Sequence, residues 1–175
     1  KHLKKFSQDG QVHSALGSIH LLQGNFEPAV EEAEKGYGLN PDEYTASVLG
    51  YVYEKIGELD KAERYYTVGA NLNRAYLIAR FNLAVVKLTQ ERHQEAGELL
   101  QAMTNWPSPL PEVIQAKILN NLGCALWGVG RKEEAKIQFR EALKVVPTFV
   151  EARENLDLAP GASPVQTTAE APLLR

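Results

Sequence analysis

A leucine followed by glycine or alanine recurs along this chain at Leu16-Gly17, Leu49-Gly50, Leu83-Ala84 and Leu122-Gly123. A second small residue returns in step with it, at Ala29, Ala62, Ala96 and Ala135. Both series advance by the same irregular intervals of 33, 34 and 39 residues. Two series that share one irregular period define an internal repeat. At this length the repeat predicts a stacked array of helical units, each touching only its neighbours.

The small residues have a physical reason. Each unit reads as two amphipathic helices joined by a short turn, with Leu-Gly (or Leu-Ala) on the first helix and alanine facing it from the second. Backbones that approach closely leave no room for a large side chain, and overpacking such a contact costs about 1–3 kcal/mol. The turns fall at one offset, Gly24-Asn25, Gly57-Glu58, Glu91-Arg92 and Gly130-Arg131. Glycine ends the first helix there by adopting the left-handed conformation at little cost. First helices are predicted near 10–22, 44–56, 76–90 and 112–128, and second helices near 26–38, 60–72, 93–105 and 132–145. The extra residues of the last interval fall in Trp106–Pro111, where three prolines predict a rigid extended loop.

These residues resemble the tetratricopeptide repeat (TPR). The second unit supplies Leu49, Gly50, Tyr53, Gly57, Ala62 and Tyr66 of its pattern; the fourth supplies Leu122, Gly123, Gly130, Ala135, Phe139, Ala142 and Pro147. The first is looser, with His20 and Ala33 at positions usually aromatic, although Pro41 closes it. The third departs most: Ala84 stands for glycine, Lys87 for tyrosine and Glu91 for the turn glycine. The resemblance implies an all-α fold, a right-handed α-solenoid of four helix pairs with a C-terminal capping helix. The expected organisation is a lead-in at 1–9, repeats at 10–42, 43–76, 77–111 and 112–149, a capping helix at 150–158 and a flexible tail at 159–175. The capping helix carries Glu151, Arg153, Glu154 and Asp157 where a fifth unit would be apolar, as the last face of a solenoid requires. The tail is rich in Ala, Pro, Ser and Thr without periodicity. Its terminal apolar pair Leu173-Leu174 is expected to dock on the inner surface as a stand-in for a natural ligand.

Composition narrows the functional classes. A net charge of −3 and a pI near 5.9 offer no basic field for nucleic acid or an anionic membrane. No apolar run is long enough to span a bilayer, so membrane insertion is not expected. The chain opens on Lys1 rather than Met, which leads us to expect truncation or processing, with an upstream signal or domain removed; localisation stays open, the cytoplasm being favoured. Motifs for chemistry are missing: there is no phosphate loop, paired cysteine or His-Glu metal pattern. His13 and His20 read as packed residues, His93 as exposed and the single Cys124 as a buried inert thiol. We therefore expect no enzyme, no catalytic residues, no cofactor and no metal.

In the family that the motifs resemble, first helices line a concave surface that binds partners. Carrying its inward positions over gives a candidate groove of Tyr44, Ser47, Tyr51, Ile78, Phe81, Asn82, Val85, Lys117, Asn120, Asn121 and Trp127. Tyr44, Tyr51, Phe81 and Trp127 would act as aromatic anchors. Asn82, Asn121 and Asn155 each precede the leucine of their unit. In several family members, asparagines there form a ladder that grips a peptide main chain, since an amide both donates and accepts. Ala15 and Val48 hold the equivalent earlier sites, which confines such a ladder to the C-terminal half. The clamp that binds acidic chaperone tails is poorly matched: Asn82 and Lys117 fit it, whereas Ser47, Tyr51 and Asn121 replace its Lys, Asn and Arg. The expected function is a non-catalytic adaptor that takes an extended or helical segment of an unidentified partner protein into its groove. The alternative is a self-associating scaffold or chaperone-like assembly factor of a larger complex, with homo-oligomers.

Overall fold

A computed structural model of the chain describes residues 2–158 and 161–167, with the side chains of residues 2–8 left aside. Among the described residues every regular element is a helix. These are α1 (His2–Leu22), α2 (Phe26–Leu39), α3 (Glu43–Lys55), α4 (Leu59–Leu72), α5 (Leu77–Thr89), α6 (His93–Thr104), α7 (Glu112–Gly128), α8 (Lys132–Val145) and α9 (Val150–Leu156). The expected pairs are present. The one large difference lies at the N-terminus, where α1 runs back through the lead-in because nothing before Gly10 breaks a helix. The contacts divide the chain into two compact units between Val86 and Lys87, inside α5.

In the first unit the small anchors lie where the repeat phase puts them. Ala29 and Ala62 are fully buried. A methyl group on Gly17 would stand 2.9 Å from the Ala29 carbonyl oxygen, and one on Gly50 would stand 2.8 Å from Cδ1 of Tyr66. Tyr66 is itself fully buried, and its hydroxyl donates to Glu54 at 2.8 Å. Helix α3 starts with a capping box: the Asp42 carboxylate accepts from the Thr45 N–H at 2.8 Å, and the Thr45 hydroxyl accepts from the Asp42 N–H at 3.2 Å. Both ends of the motif satisfy helix donors that have no partner within the helix. Behind the cap, Ala46, Val48, Leu49 and Val52 form an apolar face with no more than 1% exposure.

The second unit holds the end of α5, helices α6–α9 and residues 161–167. Gly123 of α7 packs closely against the Phe139 ring of α8, and Ala96, Ala135 and Phe139 have no exposed surface. The α5–α6 turn lacks glycine, and Glu91 takes its left-handed conformation at φ 58°, against 85° for Gly130 in the α7–α8 turn. The geometry of the turn is thus kept although the residue is not. Lys87, which replaces the usual tyrosine, is nearly buried and pairs with Glu95 at 2.8 Å. Helix α9 packs on α8, with Ala152 and the N-cap residue Phe149 buried.

Candidate functional site

Helix α7 carries two adjacent asparagines, Asn120 and Asn121, and α9 carries Asn155; none has any exposed surface. Three buried side-chain amides need hydrogen-bond partners, because an unsatisfied one costs about 1–3 kcal/mol. Their partners come from the chain segment beyond the capping helix. The Val165 N–H donates to Asn155 Oδ1 at 2.6 Å, and the Val165 carbonyl accepts from Asn155 Nδ2 at 2.9 Å and Asn120 Nδ2 at 3.0 Å. Two residues on, the pattern repeats. The Thr167 N–H donates to Asn121 Oδ1 at 2.8 Å, and the Thr167 carbonyl accepts from Asn121 Nδ2 at 3.2 Å. Asn155 Nδ2 also reaches Asn120 Oδ1 at 2.9 Å, which fixes the orientation of both amides.

The spacing has a simple origin. In an extended chain, alternate residues turn both their N–H and their C=O to the same edge. Asn155 of α9 and Asn121 of α7 therefore meet residues two apart, each closing a two-bond ring with one residue, while Asn120 adds a single bond to the Val165 carbonyl. Recognition through these groups ignores the side chain, since every residue except proline offers the same pair.

Side-chain contacts add to the main-chain bonds. The Thr167 hydroxyl donates to Asn121 Oδ1 at 3.0 Å, and Thr167 is 3% exposed. Gln166 points the other way, its amide donating to the Thr89 hydroxyl at 3.0 Å. The Cys124 thiol lies beside the Val165 carbonyl at 3.5 Å, and burial pushes its pKa up to about 12. Next to Pro164 an open cleft of about 390 Å³ is lined by Leu88, His93, Cys124 and Trp127. The Lys132 ammonium sits over the outer side of the arrangement, 5.0 Å from the Trp127 ring centroid.

The predicted residues fall into two groups. Asn120, Asn121 and Trp127 gather at this site in the second unit, as does Asn155. Lys117 lies half-buried earlier on α7. The others belong to the first unit. There Ser47 is buried and donates back to the Glu43 carbonyl at 2.7 Å. Phe81, Asn82 and Val85 are buried, Ile78 packs beside Ala70, Tyr76 and Ala79, and Tyr44 and Tyr51 are half-buried. The Lys55 ammonium lies 5.0 Å from the Tyr51 ring centroid. Leu173-Leu174 lies outside the described residues; among the described residues, the segment docked on these asparagines is Pro164–Thr167. Its signal in the sequence is faint: Ser163-Pro164 favours extended backbone, and Val165 and Thr167 are β-branched residues in strand alternation.

Family models of the tetratricopeptide repeat match residues 10–43, 47–108 and 116–149. The chain belongs to the tetratricopeptide repeat family. Solved structures of similar fold include Pseudomonas aeruginosa PilF, at TM-score 0.77 and 18% identity over 89% of this chain and 68% of that one. YrrB, described as a TPR protein with an unusual peptide-binding site, aligns at TM-score 0.74 and 19% identity over 85% and 75% of the two chains. MamA aligns at TM-score 0.70 and 20% identity over 81% and 80%. These likenesses establish the α-solenoid fold class. Among curated protein sequences none matches the chain. The family is one of protein–protein interaction modules that are generally non-catalytic. Among the described residues, no helix is long and apolar enough to cross a membrane.

Proposed function

We propose that this protein is a non-catalytic interaction module that binds an extended segment of a partner protein through the asparagines of α7 and α9. One observation carries the reading: Asn155 and Asn121 each bond both the N–H and the C=O of one residue, at positions two apart in an extended chain. Buried amides arranged in this way suit a main chain and little else. A charged ligand would find neutral groups, and a helical one would have no free N–H to offer. The aromatic anchor is Trp127, at the edge of the same site.

The test is selection of peptides from a random display library on the full chain, followed by binding to Asn121→Ala and Asn155→Ala variants whose melting temperatures match the parent. Selected peptides should lose at least about tenfold in affinity, the equivalent of 1.4 kcal/mol from two main-chain bonds of about 1 kcal/mol each. Peptides that bind all three proteins equally would remove the asparagines from the function.

A further inference from the structure

The segment that fills the site belongs to the chain itself, and it fits the two ends of the site unequally. At Thr167 the fit is complete, with a buried hydroxyl donating to Asn121 and both main-chain groups paired. At Pro164 it is incomplete, since the cleft bordered by Leu88, Cys124 and Trp127 keeps about 390 Å³ of open space. Val165, between them, stays 43% exposed and contributes main chain rather than side chain. We infer that Pro164–Thr167 is a built-in, underfilled occupant of the peptide site. The partner that displaces it carries Thr or Ser at the Thr167 position and a bulky apolar residue at the Pro164 position. This rests on the function proposed above and specifies both the ligand and its control.

The chemistry of each position supports that choice. Asn121 Oδ1 receives the Thr167 N–H at 2.8 Å and the Thr167 hydroxyl at 3.0 Å, with Asn120 Nδ2 more distant at 3.4 Å, so a residue without a side-chain donor forfeits one of the two shorter bonds in a buried place. Proline at 164 holds the extended conformation but presents a small ring to a cleft whose apolar wall is Leu88 and Trp127, with Thr89, Glu91 and His93 on its polar side. A phenylalanine or leucine there would bury more surface against Trp127 and Leu88. Few residues separate the end of α9 at Leu156 from Val165, so the tethered segment competes at an effective concentration of order millimolar. An external segment has to bind better than the built-in one, which makes the empty cleft the natural place for the difference.

The experiment uses the full chain, unmodified and with Val165→Pro plus Thr167→Pro, which remove the two donating N–H groups of the built-in segment without touching a helix. The probe is a fluorescent peptide copying residues 161–170, read by anisotropy. It should bind the doubly substituted chain at least about tenfold more tightly than the unmodified one. On the substituted chain, the peptide with valine at the Thr167 position should bind about fivefold or more weakly, and the peptide with phenylalanine at the Pro164 position more tightly. Cys124 offers an independent readout. Its alkylation should quicken in the substituted chain and slow again when peptide is added. Equal affinity for the two chains, no binding of the copied peptide to the substituted chain, or Cys124 reactivity unchanged by the substitutions would each overturn the inference. Library-selected peptides that depend on Asn121 and Asn155 would then still uphold the interaction module, so the two readings fail separately.

Discussion

Replacing Gly123 by alanine tests the helix contact on which the repeat rests. A methyl group there would lie 2.6 Å from Phe139 Cδ1 and 2.9 Å from Cζ. Carbon atoms in ordinary contact sit about 3.5–4.0 Å apart. The ring cannot step aside freely, because Phe139 is fully buried. Overpacking of this kind costs about 1–3 kcal/mol, and alanine returns about 0.8–1.0 kcal/mol of helix propensity over glycine. The expected net loss is about 0–2 kcal/mol. Gly97 in the same unit provides the opposite case, since a methyl group there first meets Ala125 Cβ at 3.5 Å. Gly97→Ala should therefore stabilise by about 0.5–1 kcal/mol. In a chain of this length 1 kcal/mol moves the melting temperature by about 2–4 °C, enough to separate the variants by circular dichroism. Repeat arrays can unfold in stages, so amide exchange along α7 and α8 should accompany the melt. A rise in melting temperature for Gly123→Ala matching that of Gly97→Ala would refute the close contact and the phase assigned to the repeat.

Three further substitutions probe separate features. Asp42→Ala removes the accepting carboxylate of the α3 capping box and should destabilise the first unit by about 0.5–2 kcal/mol in a urea titration; no change would mean that the cap is ornamental. Glu91→Gly relieves the left-handed backbone at φ 58° and should raise the melting temperature by a few degrees, whereas a fall would show that the Glu91 side chain matters more than its backbone. The Glu95 carboxyl is held down to about 2, first by its hydrogen bond to the Arg92 guanidinium and then by the Lys87 ammonium. Because the folded value lies below the unfolded one, near 4.3, this stabilisation is present above about pH 4.5 and fades as pH falls toward 2. Glu95→Gln should flatten the acid-side loss of stability, and a carbon-detected titration of Glu95 with an ordinary midpoint would refute the pairing.

The scaffold was legible because its signals are local and repeated. Gly50 and Gly123 are small for a reason that the period exposes, and both meet an aromatic ring one helix away. Even the departures kept their meaning: Glu91 holds the turn geometry of the glycine it replaces. The ladder was legible in part, as Asn121 and Asn155 occupy equivalent places in successive units and both grip a main chain. What fills it was not legible. Residues 163–167 have no periodic core pattern, and their order comes from amides that lie 10, 45 and 46 residues away in sequence. Main-chain pairing needs no apolar side chain. A contact made through backbone leaves almost no trace in composition.

The energetics of the site argue that its occupant is exchangeable. The asparagines make six hydrogen bonds to Val165 and Thr167. At a net of about 0.5–1.5 kcal/mol each, these contribute roughly 3–9 kcal/mol. Fixing five residues of backbone costs about 5–10 kcal/mol, so the two sides nearly cancel. Side-chain burial then decides the balance, and the built-in segment buries little beyond Thr167. A segment with the same main-chain bonds and one large apolar side chain in the cleft beside Trp127 would add about 1.5–3 kcal/mol, about one to two powers of ten in affinity. Under the proposed function, the asparagines would therefore set where and in what conformation a chain binds, and the cleft would set which chain wins.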